Sequence, residues 1–484
     1  MLSLSLFHPA SGVKRRAALV CGFFVTCLSC GAPNAATDAV KLPLPAGFKA
    51  GVIAQLDADG DTRTDLFVAN AGDGPDRILL NRKKGWRPVT VNTGGGRTLA
   101  VAVADLDRDG HDDIVIGKST GLVLAINDGK GGFRIRKLAT GTTAAWTLAL
   151  ADINSDGWVD IVAGREAASG STSLLWLNDG AKGGAGAPRF HAADAIAGCC
   201  DIRAVAVADI KIDGYLDLLV LHDDGTVDAY INAAGGNLRK QANMLPAGPW
   251  TGMAVADIDN NVDADVFLYG QETAGAPPVY RLLRNDGHQA FTDVTAAAGL
   301  KIAGPIGRAW WADLNEDGWP DLVLTAPSDH GLSVAYQNGD LKFDPPVAVD
   351  TGGLAPGRTL DMGDIDQQGH LELIAPMRDA ALGMLTIAMP RRHWVGLRLK
   401  GRDHAPVLGT FVVLSRPDGS MVTRQVTRGG TLLIPVGWRT QVQLIAIYWN
   451  NGVISRILPN RVDQYWSFDQ PANPHQEAAQ TPTP

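Results

Sequence analysis

The chain has 484 residues, of which 45% are hydrophobic and 6% aromatic, with 56 glycines, five cysteines and a formal net charge of −8. That length and apolar content exclude a single small domain and a disordered chain. Glycine at this frequency, without collagen periodicity and between short apolar runs, predicts many short strands joined by tight turns.

The first segment is read as a targeting signal. Lys14, Arg15 and Arg16 precede the 14-residue apolar run "AALVCGFFVTCLSC". This run is too short to span a bilayer as a helix but suits a secretory h-region. Small residues in "GAPNAA" place cleavage between Ala32 and Ala36, so residues 1–36 form the expected signal peptide. The mature protein is then secreted, periplasmic or on the outer cell surface, which argues against nucleic acid as a partner. Cys30 offers an alternative as a lipid-attachment site and membrane anchor, although Cys27 stands where a lipobox has leucine. Beyond the leader only Cys199 and Cys200 remain, so no disulfide framework exists. The adjacent pair is compatible with a vicinal disulfide or with two thiols.

Seven segments then share the frame D-x-[DN]-x-D-G-x-x-D followed by apolar residues. They start at Asp57, Asp105, Asp152, Asp209, Asp257, Asp313 and Asp364, 47 to 57 residues apart. Repeats of this period indicate a propeller or a solenoid. A second mark falls later in the unit: an Asn-Gly-type turn followed by an aromatic residue. Examples are Asn127-Asp128-Gly129 with Phe133, Asn178-Asp179-Gly180 with Phe190, Asn285-Asp286-Gly287 with Phe291, and Asn338-Gly339 with Phe343. Each unit reads strand, acidic loop, strand, strand, turn, strand. Four strands in each of seven units predict an all-β, seven-bladed β-propeller over residues 37–390. An open solenoid is the alternative, but it would need atypical capping repeats that the sequence lacks.

Carboxylates crowded into one turn repel one another unless a cation sits between them. Oxygen ligands at loop positions 1, 3, 5 and 9, a carbonyl at 7 and glycine at 6 for the bend suit calcium rather than zinc. One such loop would pass as a solvated turn; seven in phase do not. The pattern is complete at Asp105, Asp107, Asp109 and Asp113, at Asp152, Asn154, Asp156 and Asp160, and at Asp313, Asn315, Asp317 and Asp321. Asp57, Asp59, Asp61 and Asp65 keep all four carboxylates, with Thr62 in place of glycine. These four loops are the expected calcium sites. A fifth, at Asp257, Asp259, Asn261 and Asp265, is compromised by Val262, a β-branched residue where φ should be positive. The loop at Asp209 carries Lys211, whose ammonium can replace the ion, and that at Asp364 carries Gln368 and Glu372; both are expected to be empty. Two motifs hold four carboxylates and five hold three, 23 of the 51 acidic residues, so the rest of the chain has 28 acids against 43 basic residues. With its loops filled, the remaining surface is basic.

At this point the sequence resembles the FG-GAP/VCBS repeat proteins. "YRLLRNDGHQAFTDVTAAAGL" (280–300) is similar to the blade signature of the cartilage acidic protein family. "HWVGLRLKGRDHAPVLGTFVVL" (393–414) and "IYWNNGVISRILPN" (447–460) resemble the two ends of an ASPIC/UnbV domain. The resemblance implies a propeller with a C-terminal module over 391–469. That family often has a Gly-x-Gly-Ala-Arg segment where this chain reads Val407-Leu408-Gly409-Thr410-Phe411. The residues agree independently: Val395, Leu397 and Leu399 alternate with Gly396, Arg398 and Lys400, and Pro417-Asp418-Gly419 and Asn450-Asn451-Gly452 mark turns. A small β-sandwich-like domain follows, then a disordered tail over 470–484.

The resemblance also implies that calcium loops occupy one face while ligands meet the other. Residues just before each innermost strand are Lys49, Arg97, Trp146, Arg203, Trp250, Arg308 and Arg358. Such a ring of guanidinium forks and indoles would suit an anionic or sugar-like ligand; alternatively it plugs the channel. No H-E-x-x-H, G-x-S-x-G or phosphate-loop motif appears in a convincing context. The sequence therefore points to a secreted calcium-binding adhesion or scaffold module for an extracellular polysaccharide or protein. An enzyme, a lyase or hydrolase acting on an anionic polysaccharide, is the alternative.

Overall fold

A computed structural model describes residues 39–471, apart from 73, 140–143, 166–174, 181–187, 194–200, 288–289, 328–330, 358, 388 and 428. The signal segment, Cys199, Cys200, Arg358 and the tail beyond 471 lie outside the described residues.

Short apolar strands separated by acidic loops and Asn-Gly turns can bury both faces only by stacking sheet against sheet. Seven four-stranded antiparallel sheets do so, as the blades of a β-propeller. The innermost strands are Ala50–Leu56, Thr98–Ala104, Ala145–Ala151, Ile202–Ala208, Trp250–Ala256, Arg308–Ala312 and Asp361–Gly363. Each acidic loop joins an innermost strand to the second strand of its blade, so all seven loops emerge at one end of the ring. The third strands of blades 2 to 5 end in the asparagine of the turn, as Gly121–Asn127 and Val227–Asn232 do, and in blade 1 Asn81 is the penultimate residue of Asp76–Arg82. In blade 6 an isolated bridge pairs Gln337 with Phe343 across the turn.

The ring is closed by an exchange of strands. Blade 7 takes only three strands from its own repeat; its outermost strand is Val40–Leu42, from the other end of the chain, paired with Leu382–Thr386. Alanine, valine and leucine from facing blades fill the seven junctions. Phe67 and Ile78 meet Ile114 and Ile116 between blades 1 and 2, for example, and Leu66 and Leu79 meet Ile374 and Leu382 at the closure.

Beyond the propeller, two sheets pack into a β-sandwich. One pairs His393–Lys400 with Thr431–Gly437 and, in parallel, with Gln464–Asp469. The other orders Met421–Gln425, Phe411–Ser415, Leu444–Tyr448 and Ile454–Ile457. Val395, Val412, Ile434 and Ile447 share one continuous core cluster with Leu106, Leu124 and Ile161 of blades 2 and 3. The sandwich is therefore fixed to the propeller by apolar burial.

Candidate cation sites and the channel mouth

The seven loops share one internal wiring. In each, the position-1 aspartate accepts the N–H of residue 6 on its Oδ2: from Gly110 to Asp105 at 2.8 Å and from Gly157 to Asp152 at 2.9 Å, for example. Residue 6 keeps a positive φ even where it is not glycine, +67° at Thr62 and +82° at Val262. For Val262 this is a strained conformation. Position 4 is left-handed as well, at Gly60, Arg108, Ser155, Ile212, Asn260, Glu316 and Gln367. Residue type carries no sign of it, because six of the seven residues there have side chains.

The position-9 carboxylate is an internal brace. Asp113 is fully buried and accepts Leu106 N–H at 2.9 Å and Asn127 N–H at 2.8 Å; Asp65, Asp160, Asp217, Asp265 and Asp321 repeat the pair. Burial pushes these acids up, Asp113 and Asp265 to about 8 and Asp65 and Asp160 to about 7, with neighbouring loop carboxylates adding to the shift. Asp105 likewise rises to about 7 through burial. So much desolvated acid in a turn demands either protons or a metal ion.

In four loops three carboxylates converge to within 4.8 Å: Asp57, Asp59 and Asp61; Asp105, Asp107 and Asp113; Asp257, Asp259 and Asp265; Asp364, Asp366 and Glu372. In each set a buried oxygen has no hydrogen-bond donor among the described residues, namely Asp59 Oδ1, Asp107 Oδ1, Asp259 Oδ1 and Glu372 Oε1. An orphaned carboxylate oxygen aimed into a cluster of acids fits a hard cation and fits nothing else nearby. The Asp364 loop, expected to be empty, shares this convergence of carboxylates. Glu372, one methylene longer than aspartate, still takes Ile365 N–H at 2.7 Å, while Gln368 contributes its backbone N–H to Asp364 at 2.9 Å.

Blade 1 also has a guanidinium at its loop, Arg82 paired with Asp59 from a partly exposed position, and the other three loops carry a nitrogen donor among their carboxylates. Lys211 Nζ pairs with Asp213 and donates to Asn232 O at 3.1 Å. Asn154 Nδ2 donates to Asp156 at 2.9 Å. At Asp313, Asn315 Nδ2 donates to Asp317 at 3.0 Å, and Arg424 of the sandwich reaches Asp313 Oδ2 at 3.0 Å.

The turn asparagines have a role that spacing does not reveal. Asn178 Nδ2 donates to Val159 O of its own blade at 3.1 Å and to Leu106 O of blade 2 at 2.9 Å. Asn232, Asn285 and Gln337 likewise reach Ile153 O, Ile210 O and Ile258 O in the preceding blade. Asn81 reaches Ile365 O across the closure. Each clasp takes the carbonyl of loop position 2, so cation loop and blade junction are one structure.

The sandwich covers the loop end of the ring. Besides Arg424, Tyr465 donates to Asp364 Oδ2 at 2.7 Å and Thr423 Oγ1 contacts Asp257. Arg108 of blade 2 donates to Asp403 O at 3.1 Å. The central channel, about 960 Å³, is lined at this end by Leu408, Thr423, Arg424 and Thr427 and at the far end by Trp146, Asp201, Arg203 and Arg308. Arg203 and Arg308 are exposed there, and their guanidinium groups have no partner among the described residues. Trp146 is half-buried, its indole N–H given to Ile202 O at 2.6 Å.

The ring of seven is thus reduced. Trp250 does not face the channel: it is 4% exposed, packed between blades 4 and 5, with its indole N–H on Pro246 O at 2.8 Å. Its strand has the same register shift, between Trp250 and Gly252, as blades 3 and 4 have after Ala145 and Ile202. Trp250 therefore holds the buried place of those two residues, and Thr251 holds the lining place of Trp146 and Arg203. Lys49 and Arg97 are exposed ahead of the innermost strands of blades 1 and 2.

A ring of seven four-stranded blades, each with an acidic loop after its first strand, defines a repeat propeller of the cation-loop type. The model of the FG-GAP-like repeat matches residues 57–116, 105–163, 152–220, 209–268 and 313–375, and the chain belongs to this family. It is 27% identical over 243 residues to cartilage acidic protein 1 of Mus musculus, covering 46% of this chain and 35% of that protein. The Homo sapiens counterpart is 26% identical over 246 residues, covering 47% and 34%. The chain therefore spans about a third of the length of these relatives. Among solved structures, an Agrocybe aegerita lectin described as recognising non-reducing terminal N-acetylglucosamine aligns with a TM-score of 0.45 at 17% identity. That alignment covers 82% of this chain and 98% of the lectin.

Proposed function

We propose that this protein is an extracellular, calcium-stabilised binding or scaffold module that meets an anionic saccharide or a protein ligand at the channel mouth opposite its cation loops. The observation that carries the reading is the asymmetry of the channel. The sandwich covers the loop end, while the other end presents Arg203 and Arg308, unpaired among the described residues, beside Trp146. Guanidinium forks favour carboxylates and sulfates, and an indole offers a face to a sugar ring. Calcium belongs in the loops of blades 1, 2, 5 and 7, where carboxylates converge and an oxygen is left without a donor. There the ion supplies structural cross-linking; the ligand is met by the chain's own side chains. The leader-like start of the chain and its relationship to cartilage acidic protein 1 support an extracellular setting.

The test is to pass the purified protein over anionic and neutral polysaccharides, with calcium and after chelation, reading retention and polymer length together. Retention without shortening is expected. Arg203→Ala and Arg308→Ala should each weaken it roughly 5- to 100-fold, the effect of losing a charge-assisted pair. Shortening of the polymer would make the protein an enzyme, and no retention on any polymer would reject the saccharide.

A further inference from the structure

The acidic loop of blade 6 fits the repeat pattern in full, yet two guanidinium groups from another part of the chain converge on it. Arg424, on strand Met421–Gln425, places Nη2 3.0 Å from Asp313 Oδ2, the oxygen that already accepts Gly318 N–H at 2.8 Å. Arg416, 6% exposed, donates Nη2 to Asp317 O at 3.1 Å and to Pro435 O at 3.2 Å. The approach is close enough to depend on Gly318. With φ at +104°, a Cβ there would sit 2.4 Å from Arg416 Nη2. Asp105, which holds the same place in blade 2, accepts only backbone N–H groups, from Gly110 at 2.8 Å and Asp109 at 3.2 Å. The difference extends to the remaining ligands. Blades 1, 2, 5 and 7 each leave a buried carboxylate oxygen without a donor, whereas no carboxylate oxygen at positions 1, 3, 5 or 9 of the blade 6 loop is so left.

We propose that the C-terminal sandwich supplies the positive charge of the blade 6 loop, so that Arg424, seconded by Arg416, stands where a calcium ion would otherwise be bound. The loop is then an anchor for the sandwich and not a metal site. A divalent ion and a guanidinium repel when they share one carboxylate. The side chain of Arg82, which reaches Asp59 in blade 1, is 40% exposed and can yield to an ion by turning into water, whereas that of Arg424 is 18% exposed and Arg416 is 6% exposed, so the blade 6 pair is held in place. Lys211 supplies the charge of blade 4 from within its own loop, through Asp213. Blade 6 differs in borrowing its cation from more than 100 residues further along the chain. The next residue back, Thr423, gives its N–H to Asn260 Oδ1 at 2.9 Å, and Asn260 Nδ2 donates to Gly318 O at 3.1 Å. One strand of the sandwich therefore addresses two adjacent loops. This inference rests on the calcium reading of the other loops.

The experiment counts bound ions in the full chain by native mass spectrometry at saturating calcium, with terbium luminescence as a second count. Asp105→Asn should lose one ion relative to the unaltered protein. Asp313→Asn and Asp317→Asn should lose none, and Arg424→Gln should gain one. Arg424→Lys, which retains the charge, should keep the original number. Loss of an ion in Asp313→Asn or Asp317→Asn would overturn the proposal, as would an unchanged count in Arg424→Gln that folds as judged by circular dichroism. A protein that binds no calcium at all would reject the calcium reading itself. That result is distinguishable, because Asp105→Asn would then change nothing either.

Discussion

Replacing Asn178 by alanine removes three hydrogen bonds from a side chain that is 1% exposed. Gly180 N–H loses its acceptor at 3.0 Å, and because Gly180 is buried its loss adds to the cost. Leu106 O and Val159 O, at 2.9 and 3.1 Å, lose their donor inside the junction between blades 2 and 3. Each buried polar group left unpaired costs about 1–2 kcal/mol, so losing all three should destabilise the protein by about 3–6 kcal/mol. Asn127→Ala is the matched control, because its amide donates only to Asp112 O of its own blade at 3.0 Å, and Ala58 O of blade 1 is served instead by Gly131 N–H at 3.0 Å. Its cost should be about half as large. Urea unfolding of the full chain in excess calcium measures both. Equal losses for the two variants, or a loss below about 0.5 kcal/mol for Asn178→Ala, would refute the argument that the turn asparagine clasps adjacent blades.

Four further outcomes are expected. Because burial holds Asp65, Asp113, Asp160, Asp265 and Glu372 at about 7 to 8, well above their unfolded values, the folded state binds protons more tightly than the unfolded chain. Their contribution to the stability of the calcium-free protein is therefore complete below about pH 4 and lost as pH rises through 7 to 8. The melting temperature of chelated protein should fall between pH 5 and 8 and be restored by calcium at the upper end; a rise over that range would contradict the assignment. Val262→Gly should raise the melting temperature by relieving a β-branched residue at φ +82°, a strain of about 1–3 kcal/mol against about 1 kcal/mol of added chain entropy. Lys211→Asp should complete the Asp209 loop and add one calcium ion by native mass spectrometry. Tyr465→Phe, which removes the 2.7 Å bond to Asp364, should loosen the sandwich by about 1.5–3 kcal/mol, read as faster proteolysis between the propeller and the sandwich.

The propeller was legible because its signals are local and repeated. A loop such as Asp105–Asp113 carries its turn, its ligands and its place before a strand within nine residues, and seven copies in phase multiply that information. What stayed hidden depends on residues far apart in sequence. Asn285 reads as a hairpin turn from its neighbours, while its hydrogen bond to Ile210 O exists only once blades stack. Arg424 and Tyr465 reach Asp313 and Asp364 from 111 and 101 residues away. Glu372 looked like a weakened ligand when judged by residue type; its extra methylene is absorbed by the side chain's path, and its bond to Ile365 N–H is intact. Counting back from Asp257 puts Trp250 at the mouth, but strand pairing aligns it with the buried Ala145 and Ile202, and the lining position falls one residue later, on Thr251.

The strand Val40–Leu42 has a consequence for how the protein is made. It is among the first described residues to leave the ribosome, and its partners, Met384, Gly383 and Leu382, are translated only after all the intervening blades. Throughout that interval blade 1 keeps Leu66, Val68 and Leu79 without the blade 7 residues that cover them in the finished ring. An apolar blade face waiting for its neighbour is an open invitation to another nascent chain. The seam thus sets the order of events. The three residue pairs that lock the circle cannot form before the last blade is made, so the sandwich, which follows that blade in the chain, meets a complete set of loops only after closure.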